Sequence, residues 1–497
     1  MSEFAGKRVA VIGAGRSSVA AAGTLTRRGA RVEVFDRKLY AELPFADALT
    51  ELGVALHTGT DAPQSLDGYD LVVVSPGLPP SHPIFALAEA AGVPVWSEIE
   101  LGYRIARAPI VAITGTNGKT TTTLLIHHIL RTMGLRARLC GNIAGIDGEQ
   151  TLTEAAERAA PDEWLVAEVS SFQLLHTHTF RPRIAVITNI RHDHLDYHGT
   201  WEAYALAKAK ILANQTPDDW AVLNGEDAGV GWVLDYLGVP PSLGFPPLRE
   251  GNREAGQASP LREGNHDDSV PPASRGNLKE GVGQFQVKFF AASQPYVEIS
   301  SENLNIADLP KPALLGRHGL ENALAAATVA SILGCTPDQL REALASFTGA
   351  PHRMEFVGAW DGVRYINNSM CTNADALEKS LQATPKPCLV IAGGVDKNES
   401  IAQLAQSLAQ HATQVFLIGR DGGAIGAALD ALGYTRWQYV GDLARAVAEA
   451  RRTARAGDTV ILAPGCASFD QFRNFADRGE QFKRLVREVH GCDSPTP

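Results

Sequence analysis

The chain has no uninterrupted apolar stretch near the ~18 residues of a membrane-spanning helix, and its first apolar run is broken by Arg16 and Arg27. That run reads as neither a leader nor an anchor, so a soluble, cytoplasmic protein is expected. Cysteine is scarce: six residues, at 140, 335, 371, 388, 466 and 492, form no Cys-x-x-Cys pair and no zinc spacing. A disulfide scaffold and a thiolate metal site are thereby excluded, and reduced thiols are expected. Positive charge is in deficit, with 45 Lys and Arg against 55 Asp and Glu and a net charge of −10. No nucleic-acid partner is expected, and any anionic substrate must be held by local donors against the overall field.

At 497 residues the chain exceeds one ordinary core, and the patterning divides it into three domains. Short β-rich runs (Arg8–Ile12, Arg31–Phe35, Leu71–Ser75) alternate with Ala/Leu-rich helical segments, the mark of a parallel α/β sheet. A second series starts at Ile110–Ile113 and continues through Trp164–Glu168 and Ile184–Thr188. A third follows Gly349–Arg353, with strands expected at Tyr365–Asn367, Cys388–Ala392, Val415–Ile418 and Thr459–Ala463. The expected fold class is α/β, with an N-terminal Rossmann-like domain (1–103), a central P-loop ATPase-type α/β domain (104–349) and a C-terminal Rossmann-like domain (350–497). Between Phe245 and Gln284 large apolar residues nearly vanish and a six-residue string recurs, Pro247–Asn252 and Pro260–Asn265. That stretch reads as a duplicated surface-loop insert without a core of its own.

The strongest chemical signal is Thr114-Gly115-Thr116-Asn117-Gly118-Lys119-Thr120-Thr121, set between an apolar strand and an amphipathic helix. It reads as a phosphate-binding loop: glycines let backbone amides close on phosphate oxygens, Lys119 reaches the β- and γ-phosphates, and Thr120 can ligate magnesium. A strict P-loop needs glycine at 113, where this chain has Ile113, so Gly115 takes over part of that task. Two further segments follow strand ends, where open α/β sheets place their ligands. Glu168 closes one strand and calls for a cation beside it. Asn189-Ile190-Arg191-His192-Asp193-His194-Leu195-Asp196 gathers two imidazoles and two carboxylates, of which His192 and Asp196 read as solvated loop charge. In Ala203–Leu212 two lysines stand two residues apart, so one is expected to turn inward, and spacing does not choose between Lys208 and Lys210. The turn Gly13–Ser18, with Asp36 ending the next strand and Ser75-Pro76-Gly77 after the third, suits the diphosphate of UDP as well as that of NAD.

Taken in order, Thr114–Thr120, Glu168–Gln173, Asn189–Asp196 and Lys208 resemble the successive motifs of the Mur ligases, over nearly the whole chain. Ser170–Leu174 and the long Pro464–Gly479 segment are similar to the D-glutamate-adding branch of that family. The resemblance implies an ATP-dependent acid–amino-acid ligase of peptidoglycan precursor synthesis, a monomer, joining D-glutamate to UDP-N-acetylmuramoyl-L-alanine through an acyl phosphate, with domain motion in the cycle. It assigns Gly115–Thr121, Asn322 and Arg353 to ATP. Lys119, Glu168, His194 and Lys208 become the catalytic group. Thr120, Glu168, His194 and a carbamylated Lys208 are implied to hold two magnesium ions. Arg16, Ser17, Asp36, Arg37, Ser75, Pro76 and Gly77 are assigned to UDP, Asn142 and Ser170 to the muramoyl-alanyl end, and Thr372, Lys397, Ser468 and Phe475 to D-glutamate.

The chain departs from the family pattern at Gly319, where Asn is usual, and at Asn368 and Met370, where Asp and Lys are usual. Losing one negative and one positive charge together implies a replaced ion pair. A family member with another amino-acid acceptor would share the fold and the ATP chemistry. A dehydrogenase built on the N-terminal turn, or a nucleotide switch without catalysis, leaves the P-loop or the retained Lys119, Glu168, His194 and Lys208 without use.

Overall fold

The computed structural model describes residues 3–143, 150–239, 285–311, 313–314, 316–395 and 401–491. The expected insert at 245–284 and Lys397 lie outside the described residues. The chain divides into two compact units, Met1–Leu309 with Leu320–Ala343, and Pro310–Gly319 with Leu344–Pro497.

The first unit contains two parallel sheets. One has β1 (Arg8–Ile12), β2 (Arg31–Asp36), β3 (Ala55–Thr58), β4 (Leu71–Val74) and β5 (Val95–Ser97), in the order β3-β2-β1-β4-β5. The other has β6 (Ile110–Thr114), β7 (Ala137–Gly141), β8 (Trp164–Glu168), β9 (Ile184–Ile187), β10 (Trp220–Asn224) and β11 (Gln286–Phe290), in the order β11-β10-β9-β6-β8-β7. A small antiparallel pair, β12 (Tyr296–Ile299) and β13 (Glu302–Asn305), stands apart from both. The central strands are apolar along their whole length because helices cover both faces: all of β4, β6 and β9 is buried. Strand order reverses beside β1 in one sheet and beside β6 in the other, and each reversal opens a crevice at the C-terminal strand ends. The glycine turn follows β1 and the phosphate loop follows β6, so topology gives each motif its crevice.

The second unit has β14 (Glu355–Trp360), β15 (Val363–Asn367), β16 (Cys388–Gly393), β17 (Gln414–Ile418), β18 (Trp437–Gly441) and β19 (Thr459–Leu462), in the order β14-β15-β19-β16-β17-β18. Only the β14–β15 pairing is antiparallel. Its two faces carry separate apolar clusters, one around Leu377, Val390 and Leu408 and the other around Tyr365, Ile391 and Phe482. Five cysteines, at 140, 335, 371, 388 and 466, are free and buried.

Within the first unit, Glu100 ties the helix Glu98–Ile105, which leaves the first sheet, to the segment entering β9. Its carboxylate is fully buried and accepts hydrogen bonds from the His178, Thr179 and Phe180 amides at 2.9–3.1 Å, the Thr179 hydroxyl at 2.6 Å and Arg104 Nε at 2.8 Å. Burial alone would push this carboxyl up, but the Thr179 hydroxyl, the His178 amide and Arg104 together hold it below the ordinary carboxylate range. A lowered folded-state pKa means the carboxylate stabilises fully above its unfolded value of ~4.3 and loses that contribution as pH falls. Glu100→Gln should therefore destabilise the protein by about 2 kcal/mol at neutral pH, with the deficit shrinking in acid. Urea denaturation across pH 3 to 7 checks this; a pH-independent deficit would show that shape, not charge, is what Glu100 supplies.

Candidate active site

After β6 the chain turns through Gly115 and enters the helix Lys119–Thr132, whose N-cap is Gly118. Gly115 has φ of +147°, and a Cβ there would stand 2.0 Å from the Thr188 hydroxyl, so this position admits no side chain. Ile113 remains a buried strand residue, and the close approach is made two residues later. The loop is held from β9: the Thr188 hydroxyl donates to the Asn117 carbonyl at 2.6 Å and the Thr116 amide donates to the Asn189 carbonyl at 2.9 Å. The Asn189 side chain grips Asn117 from both sides, accepting from its amide at 2.9 Å and donating to its carbonyl at 3.0 Å. On the helix side, the Asn322 carboxamide oxygen accepts from the Thr122 hydroxyl at 3.2 Å. Thr120 and Thr121 are partly exposed on the first helical turn.

Beneath this loop two lysines meet one carbonyl. Lys119 Nζ donates to the Gly115 and Thr116 carbonyls, both at 2.9 Å, and Lys208 Nζ donates to the same Gly115 carbonyl at 2.9 Å. Lys208 is 1% exposed and its amine lies 4.6 Å from the centre of the Tyr204 ring. Burial first, and Lys119 second, push its pKa well below the ordinary lysine value, while Asp193 and Glu168 pull it back. The expectation that only one of the paired lysines turns inward is wrong: Lys210 is 8% exposed. The helix Trp201–Ala209 passes into a tighter 3₁₀ turn at Lys210–Leu212, and Lys210 Nζ donates at 2.6 Å to Leu175, the last carbonyl of the helix Ser171–Leu175. A lysine at a helix C-terminus satisfies a carbonyl that the helix leaves open.

Glu168 ends β8 at 3% exposure, and Asn142 approaches it twice, backbone amide to carbonyl at 2.8 Å and Nδ2 to Oε1 at 3.4 Å. Ser170 caps the helix Ser171–Leu175, its hydroxyl taken up by Gln173 on both sides. His194 has φ of +51°, keeps about half its side chain exposed, and lies 3.5 Å from Asp193. Its ring meets Phe172 edge-on at 4.9 Å between centres. His192 and Asp196 are exposed. Among the described residues no three His, Cys, Asp or Glu side chains gather into a metal cage. A hard cation that keeps water and phosphate oxygens needs only one or two protein carboxylates, and the donor set around Glu168 fits magnesium on those terms.

At the first sheet, the glycine turn, Asp36 and the third strand's turn also come together. Asp36 accepts the Ala14 amide at 2.8 Å and the Lys38 amide at 2.9 Å, and the Ser18 and Ser75 hydroxyls are 2.9 Å apart. Arg16, Ser17, Ser75 and Pro76 are partly exposed around this crevice, with Arg37 and Gly77 more open.

In the second unit, Thr372 follows β15 and Ser468 and Phe475 follow the neighbouring β19. Arg478, not singled out by sequence reasoning, is fully buried and joins the two segments. Its guanidinium donates to the Ser369 hydroxyl and carbonyl, both at 3.0 Å, and to the Cys466 carbonyl at 3.1 and 3.2 Å. The Ser369 hydroxyl in turn donates to the Phe475 carbonyl at 2.7 Å. Arg353 is exposed, beside the buried His352. Two of the three departures, Gly319 and Asn368, sit in defined surroundings; nothing in the structure explains Met370. A Cβ on Gly319 would stand 2.4 Å from the Leu314 carbonyl carbon, so Asn does not fit there. Asn368 is buried with both ends of its amide engaged, accepting from the Met354 amide at 3.1 Å and donating to the Ser380 hydroxyl at 2.6 Å.

A strand, phosphate loop and helix, with lysines and a buried carboxylate converging at adjacent strand ends, define an α/β enzyme that handles nucleotide phosphates. Family descriptions match in chain order: "Mur ligase MurD-like, N-terminal domain" over residues 7–97, "Mur ligase middle domain" over 113–235, and "Mur ligase, glutamate ligase domain" over 352–466. The chain is 39% identical to the UDP-N-acetylmuramoylalanine–D-glutamate ligase of Pelotomaculum thermopropionicum, with 98% of each chain covered. It is 37% identical to the enzyme of that name from Geobacillus kaustophilus, covering 97% of this chain and 98% of that one. The solved structure of a UDP-N-acetylmuramoyl-L-alanyl-D-glutamate–2,6-diaminopimelate ligase shares the fold, with a TM-score of 0.53 at 18% identity over 92% of each chain. The chain belongs to the Mur ligase family and is an ATP-dependent ligase.

Asn189 lies in the marked segment Asn189–Asp196, but its role in holding the loop was not read from the sequence; it stands two residues beyond β9. Asn189→Ala removes both side-chain bonds to Asn117 and should weaken binding of an ATP analogue about tenfold. Calorimetric titration checks this, and unchanged affinity would mean that Thr188 and the Asn189 main chain suffice to shape the loop.

Proposed function

We propose that the protein joins D-glutamate to UDP-N-acetylmuramoyl-L-alanine, converting ATP to ADP and phosphate, in the cytoplasmic stage of peptidoglycan synthesis, and that it does so as a monomer. The reading is carried by one observation: the phosphate loop after β6, Glu168 at the end of β8 and the His194 segment after β9 stand at the ends of adjacent strands, in a chain alike to such ligases from end to end.

The proposed division of labour follows domains at 1–103, 104–349 and 350–497. Arg16, Ser17, Asp36, Arg37 and Ser75–Gly77 take the UDP group, with Asn142 and Ser170 toward the muramoyl-alanyl end. Gly115–Thr121 and Asn322 hold the ATP phosphates and nucleoside, with Arg353 as a further contact. Thr372, Lys397, Ser468 and Phe475 receive D-glutamate. Thr120, Glu168, His194 and a carbamylated Lys208 would hold two magnesium ions, which when bound neutralise charge on the phosphates. In its neutral form the buried Lys208 amine can attack carbon dioxide; an N–C bond forms, one proton leaves to solvent, and a neutral amine becomes an anionic carbamate.

In the reaction the alanyl carboxylate attacks the γ-phosphorus and the bond to the β-phosphate oxygen breaks, releasing ADP. Lys119, fixed by two loop carbonyls, offers its charge to the transferring phosphoryl group. The amine of D-glutamate then attacks the acyl carbon, phosphate departs, and the amine's surplus proton passes to solvent. The buried floor of the loop keeps water from this side of the acyl phosphate.

Phosphate release should require UDP-N-acetylmuramoyl-L-alanine and, across a panel of D- and L-amino acids, should be fastest with D-glutamate. Lys119→Ala should lower turnover at least a hundredfold while UDP-substrate affinity stays within about threefold, since the two sites lie on different sheets. A faster acceptor other than D-glutamate would overturn the substrate assignment.

A further inference from the structure

His194 lies in a left-handed backbone conformation at φ of +51°, which a non-glycine residue keeps only where its surroundings hold it. Three of those surroundings run through the next turn of chain. The Tyr197 and His198 amides donate to the His194 carbonyl at 3.1 and 3.0 Å. The Tyr197 ring stands edge-on to Phe172 with centres 4.5 Å apart, and Phe172 stands edge-on to the His194 ring at 4.9 Å. His198 stacks on the same Phe172 at 5.4 Å and bonds the Ser171 hydroxyl at 3.0 Å, which fixes Phe172 from behind.

The far end of Tyr197 is attached elsewhere. Its hydroxyl donates at 2.5 Å to the carbonyl of Leu78, whose amide closes the turn by donating to the Ser75 carbonyl at 3.2 Å. Leu78 thus belongs to the Ser75–Gly77 turn after β4 on the first sheet, while His194 belongs to the second. Both lie in the first compact unit. A half-buried tyrosine therefore spans from the turn on one sheet to the histidine segment on the other, bonded through its hydroxyl at one end and through its backbone and ring at the other.

We propose that Tyr197 is a positioning residue that couples the two sites: occupancy of the Ser75–Leu78 turn by the UDP substrate fixes the Leu78 carbonyl, and through Tyr197 and Phe172 fixes His194 in its left-handed conformation. This rests on the assignment of UDP to that turn and of His194 to the ATP-side site. The two ligands then bind cooperatively, because whichever arrives first has already ordered the shared segment. Neither Tyr197 nor Phe172 touches a reacting atom in this scheme; they act through His194 alone.

The test is the thermodynamic coupling between the ligands. Binding of UDP-N-acetylmuramoyl-L-alanine to the full-length protein is titrated calorimetrically with and without saturating magnesium and a non-hydrolysable ATP analogue. The wild type should bind its UDP substrate more tightly when the analogue is present, and the reciprocal titration should give the same factor. Tyr197→Phe, which removes the hydroxyl and keeps the ring, should reduce that factor about fivefold or abolish it, the scale of one ordinary hydrogen bond. Affinity for the analogue alone should stay unchanged. Phe172→Leu breaks the same route at its other end, leaves the hydroxyl bond intact, and should reduce the factor as well. A wild type without coupling, or variants with wild-type coupling, would overturn the inference while leaving the ligase reading in place. Failure of the wild type to bind the UDP substrate at all would overturn that reading, and this inference with it.

Discussion

Everything on the nucleotide side of the first unit is arranged around one carbonyl oxygen, that of Gly115, which accepts hydrogen bonds from both Lys119 and Lys208. Two ammonium ions that close, ~5 Å apart at an effective dielectric of ~20, repel by roughly 3 kcal/mol. The loop can hold both side chains only if one surrenders its charge or anions intervene. Burial decides which: Lys119 is partly exposed at the helix start, whereas Lys208 is enclosed by the loop, Tyr204 and the neighbouring strands. Lys119 is therefore the lysine open to phosphate, and Lys208 is the one whose burial disfavours a positive charge, with Asp193 and Glu168 pulling the other way.

The rest of the site follows from holding that carbonyl still. Gly115 must be glycine because Thr188 fills the space a side chain would take, and Thr188 is where it is because β9 runs beside β6. Asn189, the next residue, clasps Asn117, so the loop is gripped by consecutive residues just beyond the adjacent strand β9 rather than by its own helix alone. The second unit solves a similar problem without a phosphate loop: the buried guanidinium of Arg478 draws together the segments after β15 and β19 through carbonyl and hydroxyl oxygens.

Much of this was legible in the chain. Strands with continuous apolar runs, such as β1 and β8, are legible to the residue, because a buried run of three or four apolar residues is closed by a single charged one, Arg8 or Glu168. Strands β3, β7 and β18 carry polar residues among few apolar ones and lie at or next to sheet edges, so no run or alternation marks them. The phosphate loop and Glu168 were legible because glycine spacing and a charge closing an apolar strand are local signals. The fate of the two lysines was not. Helical periodicity sends Lys208 and Lys210 apart, and only the 3₁₀ turn and a waiting helix C-terminus, both tertiary facts, bury the second. Asn189 and Arg478 lay inside segments that the sequence marked, but their roles did not show, and Tyr197 lay outside any marked segment; each acts on a partner dozens of residues away.

The proposed carbamylation of Lys208 is the step on which its assignment as a magnesium ligand rests. Carbon-13 NMR of the full-length protein equilibrated with labelled bicarbonate, with magnesium and an ATP analogue present, tests it directly. A carbamate carbon resonance is expected in the wild type and is missing from Lys208→Ala. A wild-type spectrum without that resonance, from protein that turns over normally in the same buffer, would contradict it.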